Sequence, residues 1–151
     1  MGRDLNETAR LFGVAPSTDE LYTKLYKKSL EGDADCGGVL VCNYWRGSVT
    51  HMDAGRLWCF GIPAADSTLA NFFRAQLYAT MSTLKIGMDI LARENVGIDS
   101  LMGHGGLFKT PGVGQRYMAA ACNAPVTCME TAGEGGAYGM SLLAAYMSGK
   151  Q

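Results

Sequence analysis

Nine of the twenty glycines in this 151-residue chain fall between Gly103 and Gly139. Glycine adopts backbone angles closed to other residues and lets a backbone come close to its neighbours, so a cluster marks tight turns or close approach. Residues 103–115 read GHGGLFKTPGVGQ, and residues 128–147 read CMETAGEGGAYGMSLLAAYM. A short strand pattern precedes each cluster, at 98–102 and at 125–129. A helical pattern follows each, from near Pro111 and after Gly136. Strand, helix, strand, helix implies parallel strands joined by a crossover. Two glycine turns at the carboxyl ends of neighbouring parallel strands are the usual ligand position in such a sheet. The helix N-termini there offer free N–H groups that favour phosphate. The pattern alone leaves two readings level: a nucleotide pocket, or glycines that allow close helix–sheet packing.

Several motifs can be set aside. Gly112-Val113-Gly114 is followed by Gln115-Arg116-Tyr117, so the third glycine of the dinucleotide fingerprint is absent. No GxxxxGK[ST] loop occurs. His104-Gly105-Gly106 is similar to an esterase oxyanion loop, but there is no GxSxG elbow, so His104 reads as a loop or packing residue. Five cysteines without close pairing and only two histidines supply no zinc pattern, and the thiols read as reduced and mostly buried.

Composition narrows the class further. Apolar residues make up 48% and charged residues 18%, which excludes general disorder. A net charge of -1 gives no global attraction to nucleic acid or to an anionic membrane. There is no apolar run of the ~18 residues a membrane span needs. The polar N-terminus has no signal-peptide pattern, and together these features suggest a cytoplasmic protein.

The length suits one domain, here 1–151, which divides into four stretches. Residues 1–32 read as a helical pair, the second helix opening on a Ser17/Glu20 capping box with Leu21, Tyr22, Leu25 and Tyr26 on its faces. Residues 33–66 read as a strand, Gly38 to Tyr44, expected to be covered on both faces, and a long loop from Trp45 to Asp66. Residues 67–95 read as one long helix capped by Ser67 or Asp66. Only a thin stripe of it is polar (Asn71, Arg74, Ser82, Lys85, Asp89 and Arg93), so it should be largely buried. Residues 96–151 form the glycine-rich strand–helix–strand–helix unit.

The segment GHGGLFKTPGVGQRYMAAACNAPVTCMETAGEGGAYGMSLLAAYM resembles the ATP-binding end of the FGGY carbohydrate kinases. LANFFRAQLYATMSTLKIGMDIL resembles the long helix before the glycine turn of that family. NYWRGSVTHMDAGRLWCFGI, residues 43–62, is similar to its interlobe loop, although the family has Ser-Gly-Glu where this chain has Trp45-Arg46-Gly47-Ser48. The resemblance spans nearly the whole chain and lies nearest the xylulose-kinase-like members. It implies an α/β fold: part of an actin-like, ribonuclease-H-like ATPase lobe with mostly parallel strands flanked by helices.

The resemblance also implies a function. The complete enzyme would transfer the γ-phosphoryl group of Mg-ATP to a hydroxyl of a pentulose such as xylulose, or of a related sugar or polyol. Its cofactors would be ATP and Mg2+, with the Mg2+ ligands and the catalytic base outside this chain. No catalytic or metal-ligating residue is expected here, and the chain alone should be inactive. Gly105, Gly106 and Leu107 match the turn that lies against the adenosine and α-phosphate, and Thr110 matches a polar residue near the adenine edge. Gly133, Gly135 and Gly136 match a packing turn. Asp53 and Arg56 match the interlobe loop, with a solvated ion pair the equal alternative. Partners would be ATP and the sugar, with no nucleic acid or membrane, and self-association into a homo-oligomer is expected. The rival is a stand-alone, non-catalytic nucleotide-binding or interaction module. On these readings a Cβ at Gly106 would meet the ligand or demand an angle only glycine tolerates, while Gly136→Ala would cost packing energy.

Overall fold

The computed structural model describes residues 7, 13, 16–44, 56–62, 64–130 and 132–149. The expected helix over residues 4–12 lies outside them apart from Glu7, as does most of the long loop with Asp53. Helix α1 spans Thr18–Ser29 and opens on the expected capping box. The Glu20 N–H donates to Ser17 Oγ at 3.2 Å, and the Ser17 N–H donates to Glu20 Oε2 at 3.0 Å. Asp19 and Glu20 in the first turn and Lys27 and Lys28 in the last complement the helix dipole.

A tight turn at Cys36–Gly38, with φ of 59°, 58° and 75° along its three residues, delivers the chain into β1 (Val39–Tyr44). Strand β2 (Arg56–Gly61) pairs antiparallel with β1, Leu40 opposite Phe60. This corrects the loop expected over 45–66. Arg56-Leu57-Trp58-Cys59-Phe60-Gly61 has no alternating pattern, so its strand character comes from pairing with β1 rather than from periodicity. The cover expected on both faces of β1 belongs to the whole lobe; in this chain Val39 and Val41 are buried and Leu40 is 62% exposed.

Helix α2 runs Leu69–Arg93, capped by Thr68, whose Oγ1 accepts from the Asn71 N–H at 3.2 Å. Its first half is buried through Met81, while Ile86 and Ile90 beyond are exposed. Burial along the whole helix is therefore corrected to burial of its N-terminal half. Asn71, expected on the polar face, is 1% exposed. Its side chain accepts from the Asp33 N–H at 2.7 Å and donates to Asp33 Oδ2 and the Asp66 carbonyl. Those three bonds satisfy the amide and tie the start of α2 to the turn before β1.

Strand β3 (Leu101–Gly103), helix α3 (Val113–Cys122), strand β4 (Val126–Cys128) and helix α4 (Gly135–Ser148) complete the order. β3 and β4 pair in parallel, with α3 as the crossover. The middle of α2 serves two core clusters: Ala75 with Cys36, Val39 and Val41, and Leu77 with Met81, Val113 and Tyr117. Helix α4 has no buried residue.

Candidate functional site

After β3 the chain turns through Gly105 and a short 3-10 segment, Gly106–Lys109, before α3. The glycines of this turn do different jobs. Gly105 has φ 105° and ψ 179°, a conformation restricted to glycine, and its carbonyl accepts from the Phe108 N–H at 3.0 Å. Gly112, at φ 79°, precedes α3, and its N–H donates to Gln115 Oε1 at 2.9 Å. Gly114 has no room for a side chain: a Cβ would sit 3.0 Å from Leu107 Cγ and from Phe108 Cδ1. Gly106 is unlike all of these. Its φ is ordinary, and a Cβ there would meet nothing within 4 Å. Of the two expected reasons for a glycine at Gly106, a glycine-only angle is set aside, since Gly105 carries that demand, and close approach of a ligand stands.

The open space at Gly106 belongs to a cleft of about 440 Å³. One wall is the turn itself, with Gly106, Leu107, Lys109 and Thr110. The other is α1, with Thr18, Asp19, Tyr22, Thr23 and Tyr26. Three of the four residues singled out in the sequence, Gly106, Leu107 and Thr110, line it; Gly105 shapes the turn behind. Leu107 is half-buried and also packs on the cluster around Val113 and Tyr117. Thr110 is 2% exposed. The Tyr22 and Tyr26 rings stand 5.6 Å apart and tilted by 40°. Burial raises the Tyr26 phenol above its ordinary pKa, so it stays neutral.

One buried contact sets the spacing of the two walls. The Tyr117 hydroxyl, on α3, lies 3.0 Å from both the carbonyl and the Oγ of Ser29, at the end of α1. Ser29 is fully buried, and its Oγ donates to the Tyr26 carbonyl at 2.5 Å. Tyr117 also meets Tyr78 edge-on, with Arg74 above both rings.

The second glycine turn divides similarly. A Cβ at Gly133 would lie 2.9 Å from Lys109 Cγ, and one at Gly135 would lie 2.5 Å from the His104 ring. Those two glycines make room for side chains of the first turn, Lys109 and the exposed His104. Gly136 has open space around it, which corrects its assignment to packing. A second cavity of about 450 Å³, lined by Lys109, Gln115, Cys128, Glu130 and Gly133 among others, lies between the two turns. Among the described residues no three His, Cys, Asp or Glu side chains group so as to hold a metal ion. No helix of the described residues is long and apolar enough to cross a membrane.

Sequence reasoning missed the α1 wall and the Lys109–Glu134 pair described below. The Tyr22/Tyr26 face was visible as a helix stripe. Its position opposite the glycine turn depends on a hydrogen bond between residues 88 apart, for which no local signal exists.

Chemically, the cleft offers aromatic and aliphatic walls, a buried hydroxyl, one ammonium and one carboxylate. That mixture suits a flat ring carrying polar edges and an anionic tail. The sequence matches the family model described as "FGGY family of carbohydrate kinases, C-terminal domain" over residues 3–148. No curated protein matches it. Among solved structures, the xylulose kinase from Rhodospirillum rubrum superposes with a TM-score of 0.62 at 19% identity, covering 85% of this chain. The chain spans 25% of that structure's length. At this identity the likeness shows the fold, which is α/β and that of part of an actin-like ATPase lobe. By the match over 3–148, the chain belongs to the FGGY family of carbohydrate kinases, as its C-terminal domain.

Proposed function

We propose that this chain supplies the ATP-binding part of a sugar kinase that moves the γ-phosphoryl group of Mg-ATP to a hydroxyl of a pentulose such as xylulose, or of a related sugar or polyol. The observation that carries the reading is the cleft between α1 and the glycine turn, with Gly106, Leu107 and Thr110 on one wall. Its volume accommodates a nucleoside, and Gly106 leaves a face of backbone bare where a ligand can approach. In this reading Tyr22 and Leu107 sandwich the base, and the Thr110 hydroxyl faces a base edge. Such positioning is this chain's share of a reaction that depends on alignment and charge neutralisation. The base for the sugar hydroxyl and the Mg2+ ligands lie outside these residues. A cytoplasmic, homo-oligomeric enzyme with ATP and sugar as partners accompanies the proposal.

The test is ATP-analogue titration of this chain, together with a coupled phosphoryl-transfer assay across several ketoses and polyols on the complete enzyme that contains it. ATP binding supports the site. ATP-dependent transfer to a ketopentose, abolished by Leu107→Arg, supports the reaction. A folded protein that binds no adenine nucleotide refutes the proposal.

A further inference from the structure

The cation of the cleft is already engaged. Among the described residues that line it, Lys109 is the one positively charged side chain and Asp19 the one carboxylate. Lys109 Nζ lies 2.9 Å from Glu134 Oε1. The two residues come from different glycine turns, Lys109 from the one after β3 and Glu134 from the one after β4. The stem of Lys109 crosses Gly133 so closely that a Cβ there would sit 2.9 Å from its Cγ. Lys109 also lines the second cavity, so it forms the partition between the two spaces at the carboxyl end of the parallel strand pair. Both members of the pair are substantially exposed, at 47% and 75%, and an exposed pair exchanges partners readily.

Resting on the nucleotide reading above, we infer that Lys109 is the phosphate-contacting cation of this site and that Glu134 is its counter-ion while the site is empty. A nucleotide's phosphates and Glu134 then compete for one ammonium. A polyphosphate carries more charge than one carboxylate and accepts stronger charge-assisted hydrogen bonds. The carboxylate it displaces is not stranded: Glu134 is the N-cap of α4, where the helix dipole favours a negative charge. The ammonium is compensated before and after binding, and the two glycine turns are strapped together only in the empty state. Adenosine, which has no phosphate, leaves the pair intact.

The experiment is calorimetric titration of the full chain with adenosine and with ATP, in the parent, Glu134→Gln, Lys109→Met and the double variant. Glu134→Gln should tighten ATP by roughly two- to fivefold, the scale of one exposed charge pair, and leave adenosine unchanged. The gain should shrink at high salt. Lys109→Met should weaken ATP with adenosine again unchanged. In the Lys109→Met background, Glu134→Gln should have no effect, whereas plain repulsion between Glu134 and phosphate would still yield a gain there. ATP affinity unaltered by Glu134→Gln, or a gain that persists without Lys109, would overturn the exchange while leaving the nucleotide site standing. Absence of adenosine and ATP binding from the parent would defeat the nucleotide reading and the exchange together.

Discussion

Tyr117→Phe removes a single oxygen from the contact that holds α1 opposite the glycine turn. The tyrosine is 4% exposed, and its hydroxyl lies 3.0 Å from Ser29 O and 3.0 Å from Ser29 Oγ. One proton serves both acceptors, so the loss is one shared hydrogen bond. Neither acceptor is fully orphaned: Ser29 O still receives the Gly32 N–H at 3.3 Å, and Ser29 Oγ still donates to the Tyr26 carbonyl. The cost should therefore be that of a buried neutral hydrogen bond without an added desolvation penalty, about 1–1.5 kcal/mol. For a chain of this length that is a fall in Tm of about 2–6 °C. The ring contacts with Tyr78 and Arg74 survive in phenylalanine. Thermal melting followed by circular dichroism measures the shift, and Ser29→Ala with the double variant closes a mutant cycle. A Tyr117→Phe protein that melts with the parent, or a cycle with no coupling, would show that this hydroxyl does not set the spacing of the two walls.

Ser17→Ala should cost about 1 kcal/mol at neutral pH by removing the N-cap of α1. Hydrogen bonds from the Ser17 N–H and hydroxyl hold the Glu20 carboxyl below its ordinary 4.5, so the carboxylate half of the box stabilises above that value and is lost as pH falls through the lowered pKa. Urea titrations at neutral pH and in acid should show the parent and Ser17→Ala converging as pH falls. Gly136→Ala should not destabilise. The new methyl meets open space inside a helix, so a gain of up to about 1 kcal/mol is expected, read from the same melts.

Local signals placed most of the elements. The Ser17/Glu20 box, the apolar steps from Phe73 to Met81 and the glycine-bounded strands each depend on neighbours a few residues away, and the structure contains them. What the sequence hid depends on partners far along the chain. Strand β2 has no period of its own and exists through its register with β1. Asn71 looked like a surface residue of α2 because its partners, Asp33 and Asp66, come from other segments. The glycine clusters were legible as tight turns, yet their division of labour was not. Whether a glycine is needed for its φ, as at Gly105, for a neighbour's ring, as at Gly135, or for open space, as at Gly106, is decided by atoms that packing brings in. The second half of α2 read as buried and is exposed, and α4 has no buried residue, in a chain that spans a quarter of the kinase whose fold it shares. Their apolar residues, such as Ile86, Met140 and Leu143, are patterned for contacts beyond the described residues.

The central claim, that the cleft facing the first glycine turn holds the nucleotide, is tested most directly by Gly106→Val in the complete enzyme, titrated with an ATP analogue and, separately, with sugar. A Cβ at Gly106 would meet nothing within 4 Å and the position needs no unusual backbone angle, so the variant should fold and melt like the parent. Gly106 lines the cleft, so the added side chain should narrow it. The ATP analogue should then bind at least tenfold more weakly, a loss of about 1.4 kcal/mol or more, with sugar affinity unchanged. A folded Gly106→Val protein with undiminished ATP affinity would contradict the assignment, leaving the glycines of this turn to serve packing alone.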